Sequence, residues 1–294
     1  MNVMSIKMLI EQCLAEDMGS GDITTNSIVQ EGASTLGIIH TKERGIVAGI
    51  AVAELVFRLL SPNISFTARV KDGESVIAGT VLAEVKGDAK AVLTGERVAL
   101  NFLQRMSGIA TRTSLLVDKI KEYPVRVVDT RKTTPGLRLL EKYAVLAGGG
   151  YNHRFGLYDA VMIKDNHIKV AGGIAEAIAV TRKKVSHMVK IEVEVEDLAG
   201  VGEALQGKAD IIMLDNMNIE TMKQAVAMID GRALVEASGG IDEQSIVEIA
   251  KTGVDIISVG ALTHSVKALD ISLDIGEIKI VKDKNGEGCR GLYL

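Results

Sequence analysis

The sequence has no Trp and only four Phe and five Tyr among its 294 residues. So few aromatic side chains argue against a surface on which nucleic-acid bases would stack. The charges are also nearly balanced, with 34 Lys and Arg against 38 Asp and Glu and a net charge of -4. We therefore expect no nucleic-acid partner, because proteins that bind nucleic acid carry a basic footprint.

Cysteine and long apolar runs are scarce as well. The two cysteines, Cys13 and Cys289, lie near opposite ends of the chain and fit neither a disulfide framework nor a CxxC metal motif. No uncharged apolar run approaches the length of a membrane span, about 18 residues, and the run at 8–10 is too short for a signal peptide. These absences predict a reduced, cytoplasmic protein that has no membrane partner.

Proline is rare, whereas glycine is abundant: 3 Pro stand against 30 Gly. Glycine is needed where the backbone turns tightly at positive φ or approaches a ligand closely, so this ratio predicts tight functional loops. The apolar share of 47% is ordinary for a globular protein, and the length fits one large or two moderate domains.

The second half repeats one unit, a short β-branched run followed by an amphipathic helical stretch. The runs are 125–128, 160–163, 191–195, 211–214, 233–235 and 256–259. The helices predicted between them include 136–147, 174–185, 219–229 and 242–251. This alternation predicts parallel βαβ units, in an open doubly wound sheet or in an α/β barrel. No GxGxxG motif follows the first run, which weakens a dinucleotide-binding interpretation.

Polar or glycine residues at the ends of these runs favour the barrel. They are Asp129, Lys164, Glu194, Asp215, Ser238 and Gly260. In a barrel all strand ends converge on one site, whereas in an open sheet they spread along an edge. We therefore predict an incomplete α/β barrel of about six to seven strands, since the usual count is eight.

The first half has a different pattern, typical of an α+β domain. Helices are predicted at 2–16, 50–60 and 96–106, strands at 34–49, and hairpins at 64–85. The last helix is expected to end at Gly108, because glycine suits the left-handed C-terminal cap. We predict an N-terminal sandwich domain at 1–112, joined by 275–294, and a catalytic barrel at 113–274. The charged, Gly-rich stretch 282–294 is predicted to be a frayed tail.

A cationic segment at 129–169 is the densest candidate site, with seven Lys and Arg against four acids in a chain of net charge -4. Three of its members, Arg138, Glu141 and Lys142, have helical i, i+3, i+4 spacing and are interpreted as solvated surface pairs. The remaining candidates follow strands or lie in Gly-rich loops: Arg131, Lys132, His153, Arg154 and Lys164. Arginine suits planar carboxylates and lysine suits phosphate, so the mixture predicts a ligand set with both groups.

Two glycine turns and a row of acids complete the candidate site. The turns Ser238-Gly239-Gly240 and Ser258-Val259-Gly260 follow the last two strands, where backbone N–H groups can bind phosphate. Glu192, Glu194 and Glu196 share one face of a strand, and in a covered strand at least one of them needs a partner or an ion. Glu194 and Asp215 are candidates for Mg²⁺ or sugar hydroxyls. No HExxH motif or Cys/His cluster offers a site for a softer metal.

Several long motifs, occurring in the same order along the chain, resemble those of the quinolinate phosphoribosyltransferase family. They are ERVALNFLQRMSGIAT at 96–111, DTRKTTPG at 129–136, GGG followed by NHR at 148–154, KDNH at 164–167, EVEV at 192–195, LDN at 214–216 and EASGG at 236–240. The early GDITT at 21–25 also fits, and the resemblance runs from about residue 16 to about residue 274. It does not cover the tail.

The resemblance implies a type II phosphoribosyltransferase: an N-terminal open-faced sandwich, an incomplete α/β barrel, and at least a homodimer, with a hexamer as the alternative. The implied reaction transfers phosphoribose from phosphoribosyl pyrophosphate to quinolinate, with loss of pyrophosphate and carbon dioxide. Its product is nicotinate mononucleotide, for NAD biosynthesis, and its implied cofactor is Mg²⁺.

The resemblance also assigns roles by position. The residues implied around the quinolinate carboxylates are Arg131, His153, Arg154 and Lys164, with Arg105 entering from the partner subunit. Lys132 and Lys164 are implied to meet pyrophosphate, and Glu194 and Asp215 to meet the ribose hydroxyls and Mg²⁺. The 5′-phosphate is implied to bind at Ser238, Gly239, Gly240, Ser258, Val259 and Gly260. Lys132, Lys164, Glu194 and Asp215 are the implied catalytic residues, and the last two are the implied metal ligands.

Three alternatives stay open at the level of sequence. One is a related phosphoribosyltransferase that acts on a different carboxylated ring. Another is a biotinyl or lipoyl carrier, because the segments 71–79 and 84–91 resemble carrier hairpins with Lys90 as the modified residue. The third is a non-enzymatic scaffold whose cationic loops are only surface.

Overall fold

Residues 3–277 are described by the computed structural model and divide into two units. The first unit comprises the chain up to Arg112, Pro135–Gly149 and the chain from Val266 on. The second comprises Thr113–Thr134 and Gly150–Ser265. The sequence assigned 113–274 to the barrel without interruption, whereas this division places Pro135–Gly149 in the first unit.

The helices and strands follow two patterns along the chain. Up to Lys119 they are α1 (Val3–Met18), α2 (Ile23–Ile28), β1 (Ser34–Thr41), β2 (Gly45–Ile46), α3 (Ile50–Leu60), β3 (Ser65–Ala68), β4 (Ser75–Val76), β5 (Val81–Asp88) and α4 (Ala89–Lys119). From Arg126 they are β6 (Arg126–Val128), α5 (Arg138–Ala147), β7 (Val161–Ile163), α6 (Asp165–Ala171), α7 (Ile174–Lys184), β8 (Ile191–Val195), α8 (Leu198–Gln206), β9 (Ile211–Asp215), α9 (Ile219–Ile229), β10 (Leu234–Ser238), α10 (Ile246–Ala250), β11 (Ile256–Ser258), α11 (Ala261–His264) and β12 (Ile271–Ile275).

An antiparallel sheet forms the centre of the first unit, with the strand order β12-β1-β5-β3. Strand β12 pairs with β1, so that Ile39 lies opposite Leu273. Ile39 of β1, Leu82 of β5 and Phe57 of α3 are fully buried in the core of this unit. Gly49 is the N-cap residue before helix α3, and the Asp72 carboxylate accepts the backbone N–H groups of Gly49 and Ile50 at 3.0 and 3.1 Å. A side-chain acceptor at this position satisfies N–H groups that the helix leaves unpaired.

Helix α4 corrects the prediction that a helix ends at Gly108. It runs without interruption from Ala89 to Lys119 and contains Gly108 in its interior. A β-carbon at this position would lie 2.1 Å from the backbone carbonyl oxygen of Lys267. Glycine is therefore present because another backbone segment packs against the helix, and not because the helix ends there.

The carrier alternative required Lys90 at an exposed hairpin turn. In the structure Lys90 is the second residue of helix α4, and its ammonium group contacts the Glu31 carboxylate at 2.5 Å. Strand β5 ends at Asp88 and leads directly into this helix, so Lys90 does not lie at a hairpin turn. The carrier interpretation is therefore wrong.

The second unit is built on a parallel sheet with the strand order β6-β11-β10-β9-β8-β7. All five neighbouring pairs are parallel. The strands alternate with helices along the chain, as the repeated sequence pattern predicts. An additional parallel bridge joins Val128 to Tyr151 beside the edge strand β6. The predicted fold class, an α/β architecture preceded by an α+β unit, is confirmed.

Three predictions concern the chain ends and membranes. Cys13 is a free thiol, as predicted. Cys289, the tail at 282–294 and residues 278–294 of the predicted return segment lie outside the described residues. Among residues 3–277, no helix combines the length and apolar composition that crossing a bilayer requires.

Candidate active site

A cavity of about 440 Å³ opens in the second unit at the carboxyl ends of its parallel strands. Its lining residues are Thr130, Arg131, Lys132, His153, Arg154, Met162, Lys164, Glu194, Asp215, Asn216, Ser238, Gly239 and Gly240. The strands β6 and β7 are the two edges of the sheet, and a flat sheet would separate them by about 24 Å, at about 4.8 Å per strand. Residues that follow both edges line the same cavity, so the sheet curves into an incomplete barrel.

Most residues singled out in the sequence lie around this cavity. Those that line it are Arg131, Lys132, His153, Arg154, Lys164, Glu194, Asp215, Ser238, Gly239 and Gly240. Arg105 belongs to the first unit. The turn Ser258-Val259-Gly260 is not among the lining residues, and its Ser258 and Val259 are buried. Sequence reasoning missed three lining residues, Thr130, Met162 and Asn216, which carry no ionisable group that would mark them.

The three glutamates in and just after strand β8 become more exposed along the chain. Glu192 is 2% exposed, Glu194 is half-buried and Glu196 is exposed. Glu194 lies beside Met213 of β9, and Asp215 follows two residues later, so Glu194 and Asp215 share one face of the sheet. The expectation that a covered strand would give at least one of these acids a partner is confirmed for two of them, as described below.

Lys164 and Glu194 form an ion pair at the mouth of the cavity. Lys164 follows β7 and directly precedes helix α6, and its backbone N–H donates to Nδ1 of His167 at 3.0 Å. Its side chain is 43% exposed, whereas that of Glu194 is 13% exposed. The lysine therefore combines access to a ligand with an acid that holds it in place.

Two guanidinium groups lie close enough to influence each other. Burial lowers the pKa of Arg154, and the positive charge of Arg131 lowers it further. Arg154 Nη1 donates to the carbonyl oxygen of Ala160 at 3.2 Å. A pair of cations that repel each other in a cavity is typical of a site for an anion, because a bound negative charge relieves the repulsion.

His153 connects the cavity to two buried acids. Its Nε2 lies 3.1 Å from a carboxylate oxygen of Glu192 and 3.5 Å from one of Glu236. Glu236 is 1% exposed, and its Oε1 has no hydrogen-bond partner within residues 3–277. On the other side of the ring, Nδ1 accepts the backbone N–H of Arg154 at 2.7 Å. The imidazole is therefore clamped at both nitrogens.

This three-residue cluster retains a proton that isolated groups would lose near neutral pH. Burial lowers the pKa of His153, but its hydrogen bonds to Glu192 and Glu236 and their negative charges raise it above its ordinary value. Burial also raises the pKa of Glu192, and the charge of Glu236 adds to that rise. Because the N–H of Arg154 points at Nδ1, this nitrogen carries no proton. The raised proton affinity therefore belongs to the cluster as a whole, with its protons shared between Nε2 and the two carboxylates.

The Ser238-Gly239-Gly240 turn packs against the end of the neighbouring strand. Ser238 pairs with Asp215 in the sheet, and the carbonyl oxygen of Ser238 accepts the N–H of Asn216 at 2.9 Å. Gly239 has a φ of 101°, and a β-carbon there would lie 2.1 Å from Oδ1 of Asn216. The backbone of this turn is therefore fixed next to the two polar residues that end strand β9.

The Ser258-Val259-Gly260 turn contacts the segment that carries Lys132. A β-carbon at Gly260 would lie 3.0 Å from Cδ of Lys132. Thr263, in the short helix α11 that follows, donates its hydroxyl to the carbonyl oxygen of Lys132 at 2.7 Å. The turn therefore lies beside the Lys132 side chain, and the helix that follows the turn holds the Lys132 backbone.

In the first unit, Arg105 pairs with an acid that the sequence interpretation placed on the surface. Its Nε and Nη2 donate to Oε1 of Glu141 at 2.9 and 2.6 Å. Glu141 is 1% exposed and Lys142 is fully buried. The interpretation of Arg138, Glu141 and Lys142 as solvated surface pairs is therefore wrong for Glu141 and Lys142. Helical spacing identifies a shared face, but it does not say whether that face meets solvent.

Comparison with known proteins gives matches along most of the chain. Residues 22–107 match the family model described as quinolinate phosphoribosyl transferase, N-terminal domain, and residues 109–274 match the one described as its C-terminal domain. A probable nicotinate-nucleotide pyrophosphorylase [carboxylating] of Bacillus subtilis is 48% identical over 275 residues, covering 94% of this chain and 95% of that protein. The chloroplastic nicotinate-nucleotide pyrophosphorylase [carboxylating] of Arabidopsis thaliana is 44% identical over 293 residues, covering 92% and 82%.

Solved structures are similar over the same extent. The nicotinate-nucleotide pyrophosphorylase of Francisella tularensis is 46% identical and has a TM-score of 0.89, with 92% of this chain and 96% of that chain covered. NadC from Streptococcus pyogenes is 42% identical and has a TM-score of 0.91, with 95% and 99% covered.

Proposed function

Because the chain belongs to the quinolinate phosphoribosyltransferase family, we propose that it transfers the phosphoribosyl group of phosphoribosyl pyrophosphate to the ring nitrogen of quinolinate. Pyrophosphate and carbon dioxide leave, and the product is nicotinate mononucleotide, a precursor in de novo NAD biosynthesis. The predicted family and enzyme class are confirmed by the family models and the relatives. The observation that carries the proposal is the single cavity in which cationic side chains and two acids at strand ends face one another.

Binding of quinolinate is assigned to the cationic side of the cavity. Arg131 and Arg154 each offer a planar fork that matches a carboxylate, and Lys164 adds a compact charge. The mutual influence of the two guanidinium groups supports this assignment, because a dianion between them would remove their repulsion. His153 belongs to the same part of the lining.

Phosphoribosyl pyrophosphate is assigned to the remaining walls. Lys132 and Lys164 are proposed to meet the pyrophosphate, and Glu194 and Asp215 to meet the ribose hydroxyls. The Ser238-Gly239-Gly240 turn offers backbone N–H groups for the 5′-phosphate. The second turn, Ser258-Val259-Gly260, remains a proposal for the same phosphate, and its contact with the Lys132 segment supports its nearness to the site.

Glu194 and Asp215 are also the proposed holders of Mg²⁺. Their carboxylate oxygens lie on one face of the sheet and are the hard donors that this ion prefers, so the donor set fits it. Mg²⁺ bound there with pyrophosphate supplies positive charge to the departing group.

Departure of pyrophosphate from the anomeric carbon leaves a cationic sugar, and this is the difficult step. Lys132 and Lys164 stabilise the negative charge that develops on the leaving group, while Glu194 and Asp215 stabilise the positive charge on the sugar. The quinolinate nitrogen then attacks the anomeric carbon. The bond from C2 to the carboxylate then breaks, carbon dioxide leaves, and the electron pair left on C2 is stabilised by the positive ring nitrogen until C2 takes up a proton from water. Positioning of the two substrates supplies much of the catalysis.

The enzyme is proposed to act in the cytoplasm as a homodimer at least, with a hexamer as the alternative assembly. In this proposal Arg105 of the partner subunit completes the quinolinate site. The side chain of Arg105 is 33% exposed while it pairs with Glu141, which leaves part of the side chain accessible.

The proposed substrate can be tested by incubating the protein with phosphoribosyl pyrophosphate, Mg²⁺ and either quinolinate or nicotinate, with mass detection of products. We expect kcat/KM for quinolinate to exceed that for nicotinate by at least about 100-fold, because a missing carboxylate leaves a guanidinium group without its partner. A chelator should abolish turnover without lowering the melting temperature, since the proposed ion site serves the reaction and not the fold. Comparable turnover of both acids would indicate an enzyme for another carboxylated ring, and no product from either would contradict the proposal.

A further inference from the structure

Three buried acids converge on the segment that carries His153 and Arg154. The Asp129 carboxylate, fully buried, accepts the backbone N–H of His153 at 2.9 Å. Glu192 and Glu236, at 2% and 1% exposure, face Nε2 of the ring. Such deeply buried carboxylates are expensive to keep in a protein unless they have a role. The reaction described above gives no role to Glu192 or Glu236.

The contacts of His153 lead from these acids to Arg154. Nε2 is engaged by Glu192 and Glu236, and Nδ1 accepts the N–H of Arg154. The hydrogen bond at one ring nitrogen decides which tautomer is present and therefore what the other nitrogen can do. With Nε2 protonated toward the carboxylates, Nδ1 is left as the acceptor that fixes the Arg154 backbone.

We propose that Glu192 and Glu236 are positioning residues that act through His153 on Arg154. They hold the imidazole in the tautomer whose Nδ1 accepts from Arg154, and this contact directs the Arg154 guanidinium into the cavity. His153 is therefore a positioning residue as well, because both of its ring nitrogens bind groups of the protein. The inference rests on the proposed function to the extent that Arg154 binds a carboxylate of quinolinate.

The negative charge of Glu192 and Glu236 allows this positioning role to be distinguished from a direct electrostatic effect on the ligand. Glu192 and Glu236 carry the same sign as the dianionic ligand, so neutralising either of them should strengthen quinolinate binding if they act only through their field. If they position His153 and Arg154, the same substitution should weaken quinolinate binding. The two possibilities therefore predict opposite changes in one measured quantity.

The test is calorimetric titration of quinolinate into wild type, Glu192→Gln and Glu236→Gln, with Glu220→Gln on the exposed surface of α9 as a matched control. We expect the Kd for quinolinate to rise about tenfold or more in the two buried variants, comparable to the effect of replacing the carboxylates that orient metal-binding histidines. In the two buried variants, the Kd for phosphoribosyl pyrophosphate should stay within about twofold of wild type. In the Glu220→Gln control, the Kd for quinolinate should also stay within about twofold of wild type. An unchanged or tighter Kd for quinolinate, or an equal loss for both ligands, would overturn the proposal.

A second measurement needs neither the ligand nor a folded variant of a buried acid. The chain contains five His. Nitrogen-15 labelling of histidine, with the His153 signals identified by their loss in His153→Asn, reports which ring nitrogen carries the proton in the wild-type protein at pH 7.5. We expect Nε2 to be protonated and Nδ1 unprotonated. A proton on Nδ1 would sink the positioning role whether or not quinolinate binds, whereas failure of wild type to bind quinolinate would count against the proposed function alone.

Discussion

A side chain at Gly239 would be unfavourable for two reasons, backbone conformation and steric collision. Its φ of 101° is one that residues with a β-carbon rarely adopt, and that carbon would meet Oδ1 of Asn216 at 2.1 Å and the Asn216 nitrogen at 2.9 Å. Its neighbour Gly240 has a φ of 58°, with open space where the β-carbon would go. A substitution at Gly239 therefore causes both a steric collision and backbone strain, whereas a substitution at Gly240 causes backbone strain alone.

We predict that Gly239→Ala raises the KM for phosphoribosyl pyrophosphate much more than Gly240→Ala does. Gly239→Ala should also lower the free energy of unfolding by about 1–3 kcal/mol, because both strain and overpacking act there. For Gly240→Ala the loss should be about 1 kcal/mol, the strain of a left-handed residue. Steady-state kinetics and thermal unfolding measure both quantities, and equal effects of the two substitutions would contradict this account of the turn.

At the same scale, the sequence revealed the charged residues of the cavity better than the residues that arrange them. Arg131, Lys132 and Lys164 follow strand ends, which a local pattern identifies. Glu236 reads as one more residue of a strand, because its importance comes from His153, 83 positions earlier in the chain. Contacts between residues so distant in sequence have no local signal.

Helix α4 is the element in which tertiary packing most clearly overrides local sequence signals. The pattern at 96–106 indicates a helix, and Gly108 normally indicates where such a helix ends. In the structure the helix continues to Lys119, and glycine stands at position 108 because the Lys267 carbonyl approaches the backbone there and leaves no room for a β-carbon. The helices at 50–60 and 219–229, which contain no glycine, have the predicted bounds.

We predict that Gly108→Ala destabilises the protein by about 3 kcal/mol or more, although alanine favours a helix over glycine by about 1 kcal/mol. The reason is that the obstacle, a carbonyl of the main chain, cannot rotate away as a side chain can. Gly202→Ala in helix α8 is the matched control, because its β-carbon would meet only the flexible end of Met228, at 3.2 Å. That control should be neutral or stabilising in chemical denaturation, and a Gly108→Ala protein as stable as wild type would refute the packing explanation.

For the whole molecule, the polar ends of successive strands allowed the closure of the sheet to be predicted before its geometry was known. Asp129 follows one edge strand and Lys164 follows the other, and only a curved sheet brings their neighbourhoods together. No comparable pattern in the sequence indicated that helix α5 belongs to the first unit. Its amphipathic pattern shows that one face is buried but does not identify what buries it.

The proposed homodimer predicts that Arg105 contributes to the site of the partner chain and not to that of its own chain. We predict that Arg105→Lys stays folded, because lysine keeps a positive charge beside the buried Glu141, but lowers kcat/KM by about 10- to 100-fold, because lysine cannot make the two-pronged contact with a carboxylate. Lys164→Ala should also be folded and have very low activity. Each variant alone should form the same oligomer as wild type in light scattering.

Mixing the two variants under conditions that exchange subunits then gives opposite results for the two arrangements. If Arg105 serves the partner's site, each mixed dimer contains one site with both defects and one with neither. Activity should recover to about one quarter of wild type, because half of randomly formed dimers are mixed and half of their sites are intact. If Arg105 serves its own chain, every site keeps one defect, and activity stays at the mean of the two variants. Exchange verified by mass spectrometry without recovery would therefore place Arg105 in its own chain, where its pairing with Glu141 would be its main role.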